Sequence, residues 1–232
     1  MGTERGRFLL LGSGEFEPWA AEAERFALSG AAGDGSVAIL ATASGREGDS
    51  VFERWIGMGL RHYESLGITG HPVRVRARID ALDANTAKLL DDVSMVFFSG
   101  GSPKYLAQTL SGTPVWDGVQ RLLDRGGVFG GCSAGAMIAG AAGMRFPFAS
   151  GLGLLPTTAL GVHWDALSGR WIRWLRDLAP RRLPPGLRFL GVAEHTAIAT
   201  DGDAWRVFGN GVVEMRRGSE RQAFGRGQRI PL

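Results

Sequence analysis

The feature that most constrains this chain is an alternation of short apolar runs, each too short for a helix, with longer amphipathic stretches. Residues 8–11, 37–41, 73–75, 95–98 and 128–129 read as strands, several of them bounded by glycine. Residues 18–29, 50–66, 83–91, 103–110 and 115–125 read as helices; Val51, Trp55, Met58 and Leu66 give the second of these a face for packing on a sheet. Alternation of this kind predicts an α/β fold, a mostly parallel doubly wound sheet flanked by helices. From 189 onward the character changes to short strands at 189–193, 197–200, 205–208 and 212–215. Asp201-Gly202-Asp203 and Gly209-Asn210-Gly211 are the turns between them. This predicts a C-terminal antiparallel meander finishing the sheet edge, then a polar, extended surface tail from Arg216. With no internal repeat, residues 1–232 are expected to form a single α/β domain.

Composition removes several classes. A chain of 232 residues that is 44% hydrophobic and 21% charged has the make-up of a globular protein. Its apolar runs fall far short of the roughly 18–20 residues that cross a bilayer, and no apolar stretch with a cleavage site follows Met1. No membrane association and a cytoplasmic location are expected. The 26 basic and 23 acidic residues are spread along the chain, which argues against nucleic acid as a partner. One cysteine, Cys132, cannot form an internal disulfide, in keeping with a reducing compartment.

In sheets of this type ligands sit beyond the carboxyl ends of the strands, so the residues there carry the functional argument. The strand at 128–129 runs into Gly130-Gly131-Cys132-Ser133-Ala134-Gly135-Ala136, a Gly-x-Ser-x-Gly pattern that opens a helix. Strand, glycine-flanked serine and helix make a nucleophile elbow, with Ser133 projecting and the Ala134 amide directed at a developing oxyanion. Centring on Cys132 loses the second glycine, so Cys132 reads as a small buried neighbour, with a reactive thiol as the alternative. Four histidines could serve as base. His62 and His71 read as surface residues, and His163 and His195 each follow a strand pattern, His163 being favoured. No acidic residue lies between Ser133 and His163, so the acceptor that orients the base must come from elsewhere. Glu194, at a neighbouring strand end, is preferred over Asp165. Gly100-Gly101, at the end of another strand, offers exposed amides for a second oxyanion donor.

Taken in order, Val96-Phe97-Phe98-Ser99-Gly100-Gly101, the Ser133 segment, Gly151-Leu152-Gly153-Leu154-Leu155 leading to His163, and Gly191-Val192-Ala193-Glu194-His195-Thr196-Ala197 resemble the S51 serine peptidases. That family comprises dipeptidase E and cyanophycinase, and the resemblance spans about residues 8–215. It implies a class I glutamine amidotransferase-like fold and a Ser-His dyad completed by an acid. It also implies hydrolysis of short peptides without metal or cofactor. By position, Ser133 matches the family nucleophile, His163 its histidine, and Gly101 with Ala134 its oxyanion amides. The aspartate usually assigned after the nucleophile helix in the dipeptidase E branch is replaced by Met144-Arg145-Phe146-Pro147-Phe148, and Glu194 stands in for it. The Asp-Gln pair that precedes the histidine in cyanophycinases is here Gly161-Val162, and of their arginines only Arg170 and Arg173 match, with a one-residue offset. Cyanophycin is therefore not the expected substrate.

Arg170, Arg173 and Arg176 recur on a predicted helix whose apolar stripe is Trp171, Trp174, Leu175 and Leu178. They read either as a solvated basic face or, for Arg170 and Arg173, as contacts to a substrate carboxylate. Trp164, Trp171, Trp174, Phe146 and Phe148 would wall the site with aromatic rings, predicting a weaker preference for N-terminal aspartate than dipeptidase E has. The expected partner is a short peptide, and the sequence leaves a homodimer open. A Cys132-dependent amidase or glutaminase on the same fold, and a non-catalytic small-molecule binding module, are the competing readings.

Overall fold

In the computed structural model, which describes residues 6–143, 149–166, 183 and 186–232, the period-two pattern of the apolar runs sets the layers. In β1 (Arg7–Leu11), Leu9 and Leu11 face one way and Phe8 and Leu10 the other, and the two pairs lie in different buried clusters. β2 (Val37–Leu40), β4 (Met95–Phe98) and β5 (Val128–Cys132) repeat the arrangement, every residue of them buried. Burial on both faces is why these runs lack polar alternation. The short β3 (Gly70–Pro72) pairs with β2 at one edge, and β1, β5, β4, β2 and β3 are mutually parallel in that order.

One face is covered by α1 (Ala21–Leu28) and α2 (Asp49–Ser65), through Ala23, Ala27, Phe52 and Ile56. The other carries α3 (Arg78–Ala81), α4 (Ala84–Lys88), α5 (Pro103–Leu110), α6 (Pro114–Asp124) and the single-turn α7 (Ala134–Met137). Local chemistry fixes the starts of α5 and α6. Ser102 and Thr113 each accept a first-turn amide through the side-chain oxygen, and each precedes a proline at the first helical position.

A second sheet packs on that same face. β6 (Gly140–Gly143), β7 (Ala149–Ser150), β8 (Leu155–Gly161), β9 (Arg188–Val192), β12 (Val213–Arg217) and β13 (Glu220–Phe224) are ordered β13-β12-β9-β8-β6-β7. Leu160, Leu190 and Val213 of this sheet share one buried cluster with Leu10 and Leu40 of the first. β10 (Thr196–Thr200), β11 (Trp205–Gly209) and β14 (Arg229–Ile230) complete the first sheet as antiparallel additions beyond β1.

The C-terminal strands pair antiparallel as expected, but they are divided between the two sheets and do not all finish one edge. β10 and β11 join the first sheet, and β9 and β12 the second; β10 covers the edge that β1, buried from Phe8 to Leu11, would otherwise leave unpaired. The tail after Arg216 is also more ordered than its polarity suggests. β13 pairs with β12, and β14 with β11. The strand expected at 73–75 instead spans Gly70–Pro72, with Val73 and Val75 buried just beyond it. No helix among the described residues is long and apolar enough to cross a membrane.

Candidate active site

The site lies at the carboxyl ends of β1, β4 and β5. At Cys132 the chain leaves β5 and reverses into α7 within one residue, which forces Ser133 to φ 49 and ψ −109. A non-glycine residue held there stores about 1–3 kcal/mol of strain, which the surrounding hydrogen bonds must offset. Ser133 N–H donates to Leu11 O at 3.0 Å, and Met137 N–H donates to Ser133 O at 2.9 Å. The flanking glycines allow the close packing this needs. A Cβ on Gly131 would lie 2.4 Å from the Gly135 carbonyl carbon, and one on Gly135 would lie 2.2 Å from Phe98 O.

His163 and Glu194 come from the second sheet, one just past β8 and the other just past the parallel neighbour β9. Adjacency of strands within one sheet would be the simplest way to bring His163 to Ser133, but the meeting is made across sheets instead. His163 adopts φ 51. Its Nε2 lies 3.0 Å from Ser133 Oγ, and its Nδ1 lies 3.0 Å from Glu194 Oε1. Because a carboxylate only accepts, Nδ1 carries the proton and donates, leaving the Nε2 lone pair to accept the Ser133 hydroxyl. This is the connectivity of an activated serine.

Asp165, the other acid weighed for the third position, has a different place. Its Oδ1 accepts the backbone amide of Glu194 at 2.7 Å, so it holds the chain that carries Glu194. His195, the second candidate base, turns away at φ 47. Its Nε2 is 3.4 Å from Glu17 Oε2 and its ring packs edge-on against Trp19.

His62 is not a surface residue. It is buried on α2, with Nε2 2.7 Å from Glu24 Oε2 of α1, because the helical stripe that packs α2 on the sheet includes it. His71 is exposed, within β3. Trp164 does not wall the site. It is fully buried against Phe189 and Ala159 beneath the second sheet. Arg170, Arg173, Arg176, Trp171, Trp174, Leu175, Leu178, Phe146 and Phe148 lie outside the described residues.

Cys132 is fully buried. Burial first, and then the negative charge of Glu15, push its thiol well above the ordinary value. Thiolate formation is disfavoured in such a setting, and with it nucleophilic attack by sulfur.

The two amides expected to form an oxyanion hole come from different elements. Ala134 opens α7, so its N–H belongs to the unpaired donors of a helix start. Gly101 follows β4 at φ 140, a conformation that glycine alone adopts easily. A Cβ there would sit 2.6 Å from the carbonyl carbon and oxygen of Ala43. Among the described residues no hydrogen bond occupies the Gly101 amide, whereas Ser99 and Ser102 on either side donate to Leu40 O and Ala43 O.

Sequence reasoning overlooked Glu15. It stands four residues past β1, is 7% exposed, and its Oε1 accepts the Gly100 amide at 2.8 Å. An acidic residue just beyond the apolar run Phe8–Leu11, which neighbours the elbow strand, was the available signal.

A nucleophile elbow on a parallel α/β sheet, with a histidine on its hydroxyl and a carboxylate behind that histidine, defines the class as a serine hydrolase. The profile of peptidase family S51 matches residues 9–158, and the chain belongs to that family of serine-type peptidases. It is similar to the crystal structure of a peptidase from an acI-B1 Actinobacterium, with 29% identity and a TM-score of 0.85 over 97% of this chain and 96% of that one. A candidate peptidase E protein from Listeria monocytogenes EGD-e shares the fold, with a TM-score of 0.65 at 16% identity over 89% of this chain and 100% of that one. No curated protein matches the chain.

Proposed function

We propose that this peptidase hydrolyses short peptides through Ser133, His163 and Glu194. The observation that carries the reading is the unbroken relay from Ser133 Oγ through His163 to Glu194 Oε1, two contacts of 3.0 Å each. Ser133 Oγ attacks the scissile carbonyl carbon while its proton passes to His163 Nε2. The carbonyl oxygen, now negative, is held by the Gly101 and Ala134 amides. Collapse breaks the C–N bond, His163 gives its proton to the leaving amine, and an acyl-serine remains. Water repeats the sequence with His163 again as base, releasing the acid and restoring the serine. Glu194 keeps His163 in the tautomer that can accept from serine and stabilises the imidazolium formed in each step. The Asp-Gln pair that precedes the histidine in cyanophycinases is Gly161-Val162 here, which supports a substrate other than cyanophycin.

Ser133→Ala tests the assignment. Peptide turnover should fall at least about 10⁴-fold, and covalent labelling by a fluorophosphonate should vanish, with the circular dichroism spectrum unchanged. Retained turnover would remove Ser133 from the mechanism. A folded wild-type chain that takes no label and cleaves no peptide would favour a binding module.

A further inference from the structure

The segment leaving β4 is pinned at nearly every amide. Ser99 donates to Leu40 O at 3.1 Å, Gly100 to Glu15 Oε1 at 2.8 Å and Ser102 to Ala43 O at 2.9 Å. Only the Gly101 amide between them is left for a substrate oxygen, among the described residues. Two of the three acceptors are backbone carbonyls, placed by strand pairing and by the turn after β2. The third is a side chain, and it comes from the far side of the elbow, since β1 and β4 flank β5 on opposite edges.

The geometry also places Glu15 against the nucleophile. A Cβ built on Gly100 would be 3.1 Å from Glu15 Oε1 and 3.5 Å from Ser133 Cβ, so the carboxyl group and the serine border the same small space beside the Gly100 Cα. Rotation of the Ser99–Gly100 peptide, which two consecutive glycines would otherwise permit, breaks a buried hydrogen bond and strips the Gly100 amide of its acceptor. An amide that must meet an oxyanion within a few tenths of an ångström needs such a restraint.

We propose that Glu15 is a positioning residue for the oxyanion hole: by accepting the Gly100 amide it fixes the Gly100-Gly101 segment across the elbow so that the Gly101 and Ala134 amides converge on one point. The inference rests on the serine-peptidase reading and assigns Glu15 no contact with substrate and no proton transfer. Its requirement is a hydrogen-bond acceptor, which Gln supplies and Ala does not.

The test uses the full chain and a fluorophosphonate probe, whose saturation kinetics separate the maximal labelling rate, kinact, from the binding constant, KI. In Glu15→Ala, kinact should fall about 10²-fold with KI changed by less than about threefold, and Glu15→Gln should restore kinact to within about fivefold of wild type. A structural role alone would lower the melting temperature without this split. If Glu15→Ala does not fold, Glu15→Met, which fills the space without an acceptor, replaces it. A folded acceptor-free variant with wild-type kinact overturns the inference, as does a Gln variant that falls as far as Ala. Those outcomes leave Ser133 labelling in wild type intact. Absence of wild-type labelling, or labelling that survives Ser133→Ala, instead removes the serine-peptidase reading and the inference with it.

Discussion

At the scale of single residues, the arrangement separates three carboxyl groups that the chain brings close to Ser133 and His163. Glu194 meets the imidazole, Asp165 meets the Glu194 backbone, and Glu15 meets the Gly100 amide. Glu194→Gln can hold the ring with the wrong proton arrangement, so kcat should fall by about 10³- to 10⁴-fold. Asp165→Ala removes an exposed support at one remove from the imidazole. Its effect should be smaller, about 10-fold in kcat with KM unchanged. Steady-state kinetics of the two variants decide the order, and an Asp165 effect equal to that of Glu194 would contradict it. Cys132 gives a pH prediction. Its folded-state pKa is raised above 9.0, so the protonated form is favoured by the fold. The corresponding stability is complete below about pH 9 and is lost as pH rises toward the folded value, because the unfolded chain then releases a proton the native one keeps. Tyr63, raised well above 10.0 by burial and by Glu24, adds a loss of the same sign at higher pH. Melting temperature should therefore decline more steeply above pH 9 in wild type than in Cys132→Ala. Iodoacetamide should neither modify nor inactivate the folded protein at neutral pH. Rapid inactivation by that reagent would revive the cysteine reading.

At the scale of elements, the elbow works because α7 starts in direct contact with the two strands beneath it. Gly135 has no room for a methyl group, its nearest neighbour being the backbone oxygen of Phe98 rather than a side chain that could move. Gly135→Ala should destabilise by about 3 kcal/mol and reduce activity, since relief requires α7 and Ser133 to shift. Gly57 is the control. It lies inside α2, and a Cβ there meets only the tip of Arg61. The same substitution at Gly57 should stabilise by about 0.5–1 kcal/mol through helix propensity. Urea titration of both variants measures the opposite signs, and equal destabilisation would mean that contact with the strand does not set the difference. The strands and helices of the first half were readable from the apolar periods apart from the short α3, whereas β6, β7, β13 and β14 were not; α5 was readable to the residue because Ser102-Pro103 caps it. The assignment of strands to sheets was not, since 189–193 and 197–200 have the same local pattern and go to different sheets.

At the scale of the whole molecule, the candidate triad is drawn from two sheets. Ser133 belongs to the first, and His163 and Glu194 to the second. Both sheets contribute to one buried cluster, which holds Leu10 and Leu40 together with Leu160, Leu190 and Val213. The junction is therefore core rather than a hinge, and it should break together with the sheets. Thermal unfolding followed by loss of activity and by circular dichroism should give coincident transitions. Activity lost well before secondary structure would show the two sheets separating first.

The sequence by itself determined the candidate nucleophile and the turn that carries it. Gly131-Cys132-Ser133-Ala134-Gly135 between a β run and a helix is a local pattern, and its strained turn needs glycine at fixed offsets whatever surrounds it. It also determined that His163 and Glu194 each end an apolar strand, which placed both at carboxyl ends. What only the tertiary structure decided was which groups meet. Packing separated Asp165 from the imidazole, turned His195 toward Glu17, and buried His62 against Glu24 and Trp164 against Phe189. It also brought Glu15 across β5 to the Gly100 amide, a pair 85 residues apart. Periodicity records which face of an element is apolar, but not which other element will cover it, because that choice belongs to strand edges and core volume summed over the whole chain.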